Sequence, residues 1–156
     1  MTPRLDIDTA KINHNAQELK KLYGSKGIGI FAVTKVVCGD PNIADALIKS
    51  GIGVLADSRI SNIRRMRDAG IKAQFVLTRT PIPSQIEDVI RYVDISLNSE
   101  LTVIKALSKS ALRQDSNHKI ILMVDLGDLR EGIMPSDLLG TVGEVLKLDR
   151  IELAGI

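Results

Sequence analysis

The chain has 156 residues, 44% of them hydrophobic and 26% charged, which is enough for one globular core and shows no sign of disorder. Its 21 basic and 19 acidic residues are interspersed and leave a net charge of +2, so no broad positive field exists to draw in nucleic acid or anionic lipid. Short, charge-broken apolar runs, the apolar-poor opening MTPRLDID, the single Cys38 and the distant His14 and His118 argue against a membrane span, a secretory signal, an intrachain disulfide and a zinc set. The expectation is a cytoplasmic α/β protein without a metal.

Ile12, Ala16, Leu19 and Tyr23 recur at helical spacing, with Asp8 or Thr9 as the cap. Ile28 to Val33 then reads as a buried strand, closed by the turn residues Cys38-Gly39-Asp40-Pro41. Pro41 suits a first helical position, Ile43, Leu47 and Ile48 form a stripe, and Gly51 suits the C-terminal cap. The unit repeats. Ile52 to Ala56 is a strand, followed by a helix burying Ile60, Ile63 and Met66, with Arg64, Arg65 and Arg67 on a solvated face, up to Gly70. Ala73 to Leu77 is the third strand, and Ser84 with Glu87 predicts a capping box for a helix burying Ile86, Val89, Ile90 and Val93. Asp94 to Leu97 is the fourth strand, and Ser99 is expected to cap a helix to about Arg113. Lys119 to Val124 is the fifth. Ser136 is expected to start a helix with Leu138, Leu139, Val142, Val145 and Leu146 inward, and Ile151 to Ile156 is the sixth strand.

Alternating strands and helices imply parallel pairing through right-handed crossovers. An open doubly wound sheet fits about this length and is slightly favoured on periodicity alone, whereas a (β/α)₈ barrel normally needs ~250 residues. In either case the functional edge is where strands give way to loops. Lys35, Asp57, Ser58, Arg59, Arg79, Asn98 and the stretch Asp125 to Arg130 follow strands and would share one rim.

Lys35 reads in two ways. It is either an ordinary solvated lysine or, partly desolvated at the end of an apolar strand, an amine available for Schiff-base chemistry. The loop DLGDLREG around Arg130 is either a turn with a surface ion pair or a site where Arg130 positions an anionic or phenolic group. Cys38 reads better as a small buried residue than as a reactive thiol, since no histidine adjoins it. His14 and His118 read as surface residues. No GxGxxG or GxxxxGK[ST] loop occurs, so nucleotide binding loses support.

The opening PRLDIDTAKINHN, the strand IFAVTK and the stretch VDLGDLREG together resemble the fold-type-III, pyridoxal-phosphate (PLP)-dependent alanine racemase superfamily. ADSRI, ISLNSEL and ILMVDLGDLREGI are more narrowly similar to its ornithine racemase-like branch. The resemblance spans the chain and implies an α/β fold of parallel TIM-barrel type, about six of its eight strands lying here, with the last barrel strands and a C-terminal β domain beyond Ile156. It implies PLP as cofactor, a small-molecule amino acid as substrate and a homodimer. Lys35 matches the lysine that holds PLP and serves as one of two bases, and Arg130 the arginine near the PLP phenolic oxygen and substrate carboxylate. Arg130, Cys38, Asp57, Arg59 and Asn98 are candidate substrate contacts. Cys38-Gly39, where typical alanine racemases have a tyrosine, and Met123, where many have a modified lysine, fit the ornithine-type branch better. The implied activity is amino-acid racemisation by α-proton abstraction, and the 156 residues alone are expected to be inactive. Two other readings remain, a non-catalytic PLP-binding protein and an unrelated open-sheet binding module.

Overall fold

A computed structural model describes residues 2–156. Its elements are α1 (Thr9–Gly24), β1 (Phe31–Val33), α2 (Pro41–Lys49), β2 (Val54–Asp57), α3 (Ile60–Asp68), β3 (Gln74–Leu77), α4 (Ile86–Tyr92), β4 (Ile95–Asn98), α5 (Leu101–Arg113), β5 (His118–Leu122), α6 (Leu138–Val145) and β6 (Ile151–Gly155). Short 3₁₀ turns at Lys35–Val37, Pro83–Gln85 and Pro135–Asp137 lead into α2, α4 and α6.

All six strands are parallel and stand in the order β1-β2-β3-β4-β5-β6. A doubly wound sheet reverses its order at a switch point and puts helices on both faces. Here the order never reverses. Leu55, Phe75, Leu77, Ile120 and Leu122 pack under Ile63, Met66, Val89, Ile104, Leu107 and Val145, so α2 to α6 cover one face. The other face carries the alternate strand residues Val54, Ala56, Val76, Ile95, Leu97 and Ile121 and, among the described residues, has no helix against it. A singly wound sheet with one inner and one outer face is the barrel type of α/β fold, and the slight periodicity-based preference for an open doubly wound sheet is overturned.

Local signals explain much of the element boundaries. The Asp8 carboxylate accepts from Ala10 N and Lys11 N at the start of α1, and Asp40 from Asn42 N and Ile43 N at the start of α2, with Pro41 at its first position. Gly51 and Gly70 take positive φ of 89° and 81° just past α2 and α3, as the sequence predicts. Two predicted caps do not form. Ser84 sits inside a 3₁₀ turn begun by Pro83, so α4 starts later, at Ile86, without a side-chain cap. Ser99 instead binds Thr80, its hydroxyl 3.0 Å from that of Thr80 and its N–H donating to Thr80 Oγ1 at 3.2 Å.

Several burial expectations are also corrected. β1 is an edge strand, and Phe31 and Val33 on it are half-exposed. Cys38 is exposed, because it sits in a tight turn rather than against the core. Leu139 on α6 and Leu146 just past its end are exposed, since only one side of that helix meets the sheet, through Val145 with help from Leu138 and Val142. Arg67 is not simply solvated. It donates to Tyr92 O and Asp94 Oδ2 and lies 4.7 Å over the Phe75 ring.

His118 departs furthest from expectation. It opens β5 on the helix-facing side, 2% exposed, with Nε2 2.8 Å from Ser96 Oγ. Its parity with Ile120 and Leu122 places it in the outer layer rather than at the surface. Burial lowers its pKa from 6.5 to about 4, against an opposing pull from Asp94.

Candidate functional site

Because the strands are parallel and in register, every strand-to-helix exit opens on the same rim. Lys35 begins the 3₁₀ turn that follows β1, Arg59 lies between β2 and α3, Arg79 follows β3, and Arg130 lies in the loop after β5. All four are exposed. Of the two readings of Lys35, its side chain has the exposure of the solvated one.

The lysine's side chain is free while its backbone is tightly held. Thr34 N donates to Ala56 O at 2.8 Å, and Thr34 O accepts from Val37 N at 3.1 Å and Gly39 N at 3.2 Å. Cys38 and Gly39 complete the turn at positive φ of 52° and 61°. A side chain on Gly39 would collide with Asn62 on α3, so the turn needs glycine there for space as well as for backbone angle.

The loop after β5 is closed at its base and constrained within. Asp125 N donates to Ile133 O at 3.0 Å, Ile133 N donates to Met123 O at 2.7 Å, and Val124 bridges Ile133. The Asp125 carboxylate accepts from Gly127 N at 2.7 Å and Leu129 N at 3.2 Å. The Gly127 N–H foremost holds the Asp125 pKa below its ordinary value. Arg130 projects from this pinned loop, beside Ser99 and Glu100 across a shallow cleft.

The remaining candidates face the other way. Asp57 is fully buried, and its carboxylate accepts from Thr34 Oγ1, Arg59 N and Asn62 Nδ2. Asn98 is also fully buried, its Nδ2 donating to Ser96 O and Ser96 Oγ, while its Oδ1 has no partner among the described residues. Both stand behind the rim rather than on it. Sequence reasoning named Asp57 and Asn98 but missed Thr34 and Asn62, whose only signal was a hydroxyl next to Lys35 and an amide one helical turn after Asp57.

The chemistry of the rim fits an anionic aldehyde such as PLP. Lys35 offers a primary amine with no carboxylate within ion-pair distance, and Arg59, Arg79 and Arg130 likewise have no carboxylate partner among the described residues. Arg65, next to the Lys35 turn, donates to Cys38 O and pairs with Asp40, and away from the rim Arg64, Arg67, Arg113 and Arg150 are paired while Arg91 has no carboxylate partner among the described residues. Uncompensated guanidiniums suit phosphate and carboxylate groups, which they grip through paired N–H donors.

The family model for the alanine racemase N-terminal domain matches residues 7–156. The chain is 40% identical over its whole length to an ornithine racemase of Acetoanaerobium sticklandii, covering 44% of that protein. It is 41% identical over 84% of its length to a lysine racemase of Thermotoga maritima, covering 37% of it. The chain thus spans less than half the length of these curated relatives. Among solved structures, an alanine racemase of Clostridium difficile 630 superposes with a TM-score of 0.83 at 22% identity, covering 96% of this chain and 39% of that one. A D-threonine aldolase of Filomicrobium marinum gives 0.86 at 20% identity, covering 100% and 43%. At such identities these two likenesses speak for the fold.

Proposed function

Since the chain belongs to the alanine racemase N-terminal-domain family, we propose that it is the lysine-bearing part of a PLP-dependent amino-acid racemase acting on a diamino acid such as ornithine or lysine. The observation that carries this reading is Lys35, an exposed amine on a tightly held turn at the carboxyl rim of β1. The choice of substrate is supported by the ornithine and lysine racemases at 40% and 41% identity. Nothing in the geometry favours a purely non-catalytic PLP-binding role over this one.

When bound, PLP supplies an electron sink that makes the α-proton of an attached amino acid removable. Lys35 Nζ would hold the cofactor and, as a free amine, would take or return a proton on one face of the substrate α-carbon. Arg130 would bind the substrate carboxylate or the cofactor's phenolic oxygen, its backbone placed by the pinned loop from Asp125 to Ile133. Arg59 extends the same positive rim, and Cys38 borders it from the Lys35 turn. In this reading residues 1–156 form the N-terminal part of the barrel, the base for the opposite face comes from the rest of the full-length protein, and the assembly is a cytoplasmic homodimer.

The test is to incubate the full-length gene product with PLP and L-ornithine, L-lysine or L-alanine and to resolve the products by chiral chromatography. D-ornithine or D-lysine, absent from the Lys35→Ala variant, is the expected result. Racemisation that survives Lys35→Ala would overturn the assignment, and a clear preference for alanine would overturn the substrate.

A further inference from the structure

We propose that Asp57 is a positioning residue for Lys35 and acts on it through Thr34. Asp57 is 0% exposed and has no lysine or arginine partner among the described residues. A carboxylate buried without a cation is costly unless donors satisfy it, and here three do. Thr34 Oγ1 donates to Oδ2 at 2.8 Å, while Arg59 N at 2.9 Å and Asn62 Nδ2 at 3.0 Å donate to Oδ1.

Oδ1 serves the entry to α3, through Arg59 N and the Asn62 side chain. Oδ2 is given to the residue immediately before Lys35. Thr34 is itself fully buried, and its carbonyl receives the Val37 and Gly39 amides of the lysine turn. Gly39 in turn lies against Asn62, the residue that donates to the same carboxylate. Thr34, Asp57, Asn62 and Gly39 therefore form a closed ring, and Lys35 to Cys38 is the segment that the ring clamps. One buried carboxylate ties the exits of β1 and β2 to the first turn of α3, so the Lys35 backbone is fixed even though its side chain is free.

That the clamped amine is a cofactor-binding amine rests on the reading above, whereas the clamp itself does not. The experiment uses the 156-residue chain with Thr34→Val, Asp57→Asn and Thr34→Ser. The first removes only the hydroxyl, the second replaces an acceptor oxygen with a donor, and the third restores the hydroxyl in a smaller side chain.

Two readouts are taken. Amide hydrogen exchange at Val37 and Gly39 is compared with exchange at Ile120 in β5. The share of label at Lys35, relative to the other lysines, is mapped by peptide mass after treatment with free PLP and borohydride. In that labelling the Nζ lone pair adds to the aldehyde carbon, water leaves, and borohydride delivers hydride to the C=N carbon to give a secondary amine.

Thr34→Val and Asp57→Asn are expected to speed exchange at Val37 and Gly39 about tenfold, the scale of one lost hydrogen bond, and to cut the Lys35 share by about as much. Ile120 should be unchanged, and Thr34→Ser should retain wild-type behaviour in both readouts. Unchanged exchange at the turn, or faster exchange with an undiminished Lys35 share, overturns the inference. If Asp57→Asn does not fold, the Thr34 pair decides by the same criteria. A wild-type chain that labels Lys35 no more than its other exposed lysines defeats the cofactor role of Lys35, and exchange alone then decides the clamp.

Discussion

His118 is a base kept neutral inside the protein, and its titration is a stability term. Burial lowers its pKa from 6.5 to about 4 in the folded chain, so between those pH values the unfolded chain binds more protons. Stability is therefore full above about pH 6.5 and declines as pH falls toward 4, by on the order of 3 kcal/mol. Urea midpoints measured from pH 7 down to 4.5 should fall more steeply for the wild type than for His118→Gln, and parallel curves would refute this. Lys35→Ala tests the opposite kind of residue. Being exposed, it should cost under about 1 kcal/mol in thermal stability while removing the borohydride-trapped PLP adduct from the rim. Lys35 and Arg130 were legible because a strand pattern ends beside them. His118 was misread because β5 begins two residues before its apolar run, so the alternation that buries Ile120 and Leu122 also buries the histidine. Cys38 was misread because a hydrophobicity scale does not register a turn at positive φ.

At the level of elements, the loop from Asp125 to Ile133 converts hydrogen bonds into the placement of Arg130. Gly132 has φ +133° and its α-carbon faces the Val124–Asp125 peptide, so a methyl group there meets backbone. Gly132→Ala is expected to break the Val124–Ile133 bridge and to cost about 1–3 kcal/mol, read as a lower thermal midpoint. An unchanged midpoint would mean that the loop relaxes freely. The Asp125 carboxylate adds a pH dependence of the opposite chemical type. Its folded pKa lies below 3.8, so its contribution is present above that value and is lost as pH falls through the folded pKa. The Gly127 and Leu129 amide resonances should move together in that acid range, and Asp125→Asn should abolish the joint transition. The order and type of the helices and strands were readable from apolar period and from the caps Asp8 and Asp40. The starts of α4 and α6 were not, because Pro83 and Pro135 begin 3₁₀ turns that displace the helical register, and neither Ser84 nor Ser136 then lies at a helical cap.

For the whole molecule, the sheet order leaves β1 and β6 unpaired on their outer sides. Phe31 and Val33, in register with Val54 and Ala56, are 46% and 48% exposed on the inner face of β1, and an edge strand with an apolar face of this kind recruits other strands. Sedimentation velocity over about a hundredfold concentration range should show the 156-residue chain associating, and Phe31→Lys should shift it toward monomer. Concentration-independent sedimentation of the wild type would contradict this. The barrel type itself was not decided by periodicity, which is the same for both windings. The family resemblance implied it, and the pairing order and the single helix-covered face bear it out. The same order bears on how the chain is made. Among the described residues every strand pairs only with its neighbours in sequence, so β2 to β5 each find both partners within one strand of themselves in the chain. At a synthesis rate of roughly 5–20 residues per second, each new strand-helix unit emerges over about one to several seconds, whereas a helix forms in about a microsecond. Each unit therefore leaves the ribosome onto an edge that is already waiting for it, and the sheet grows in the order in which its message is read.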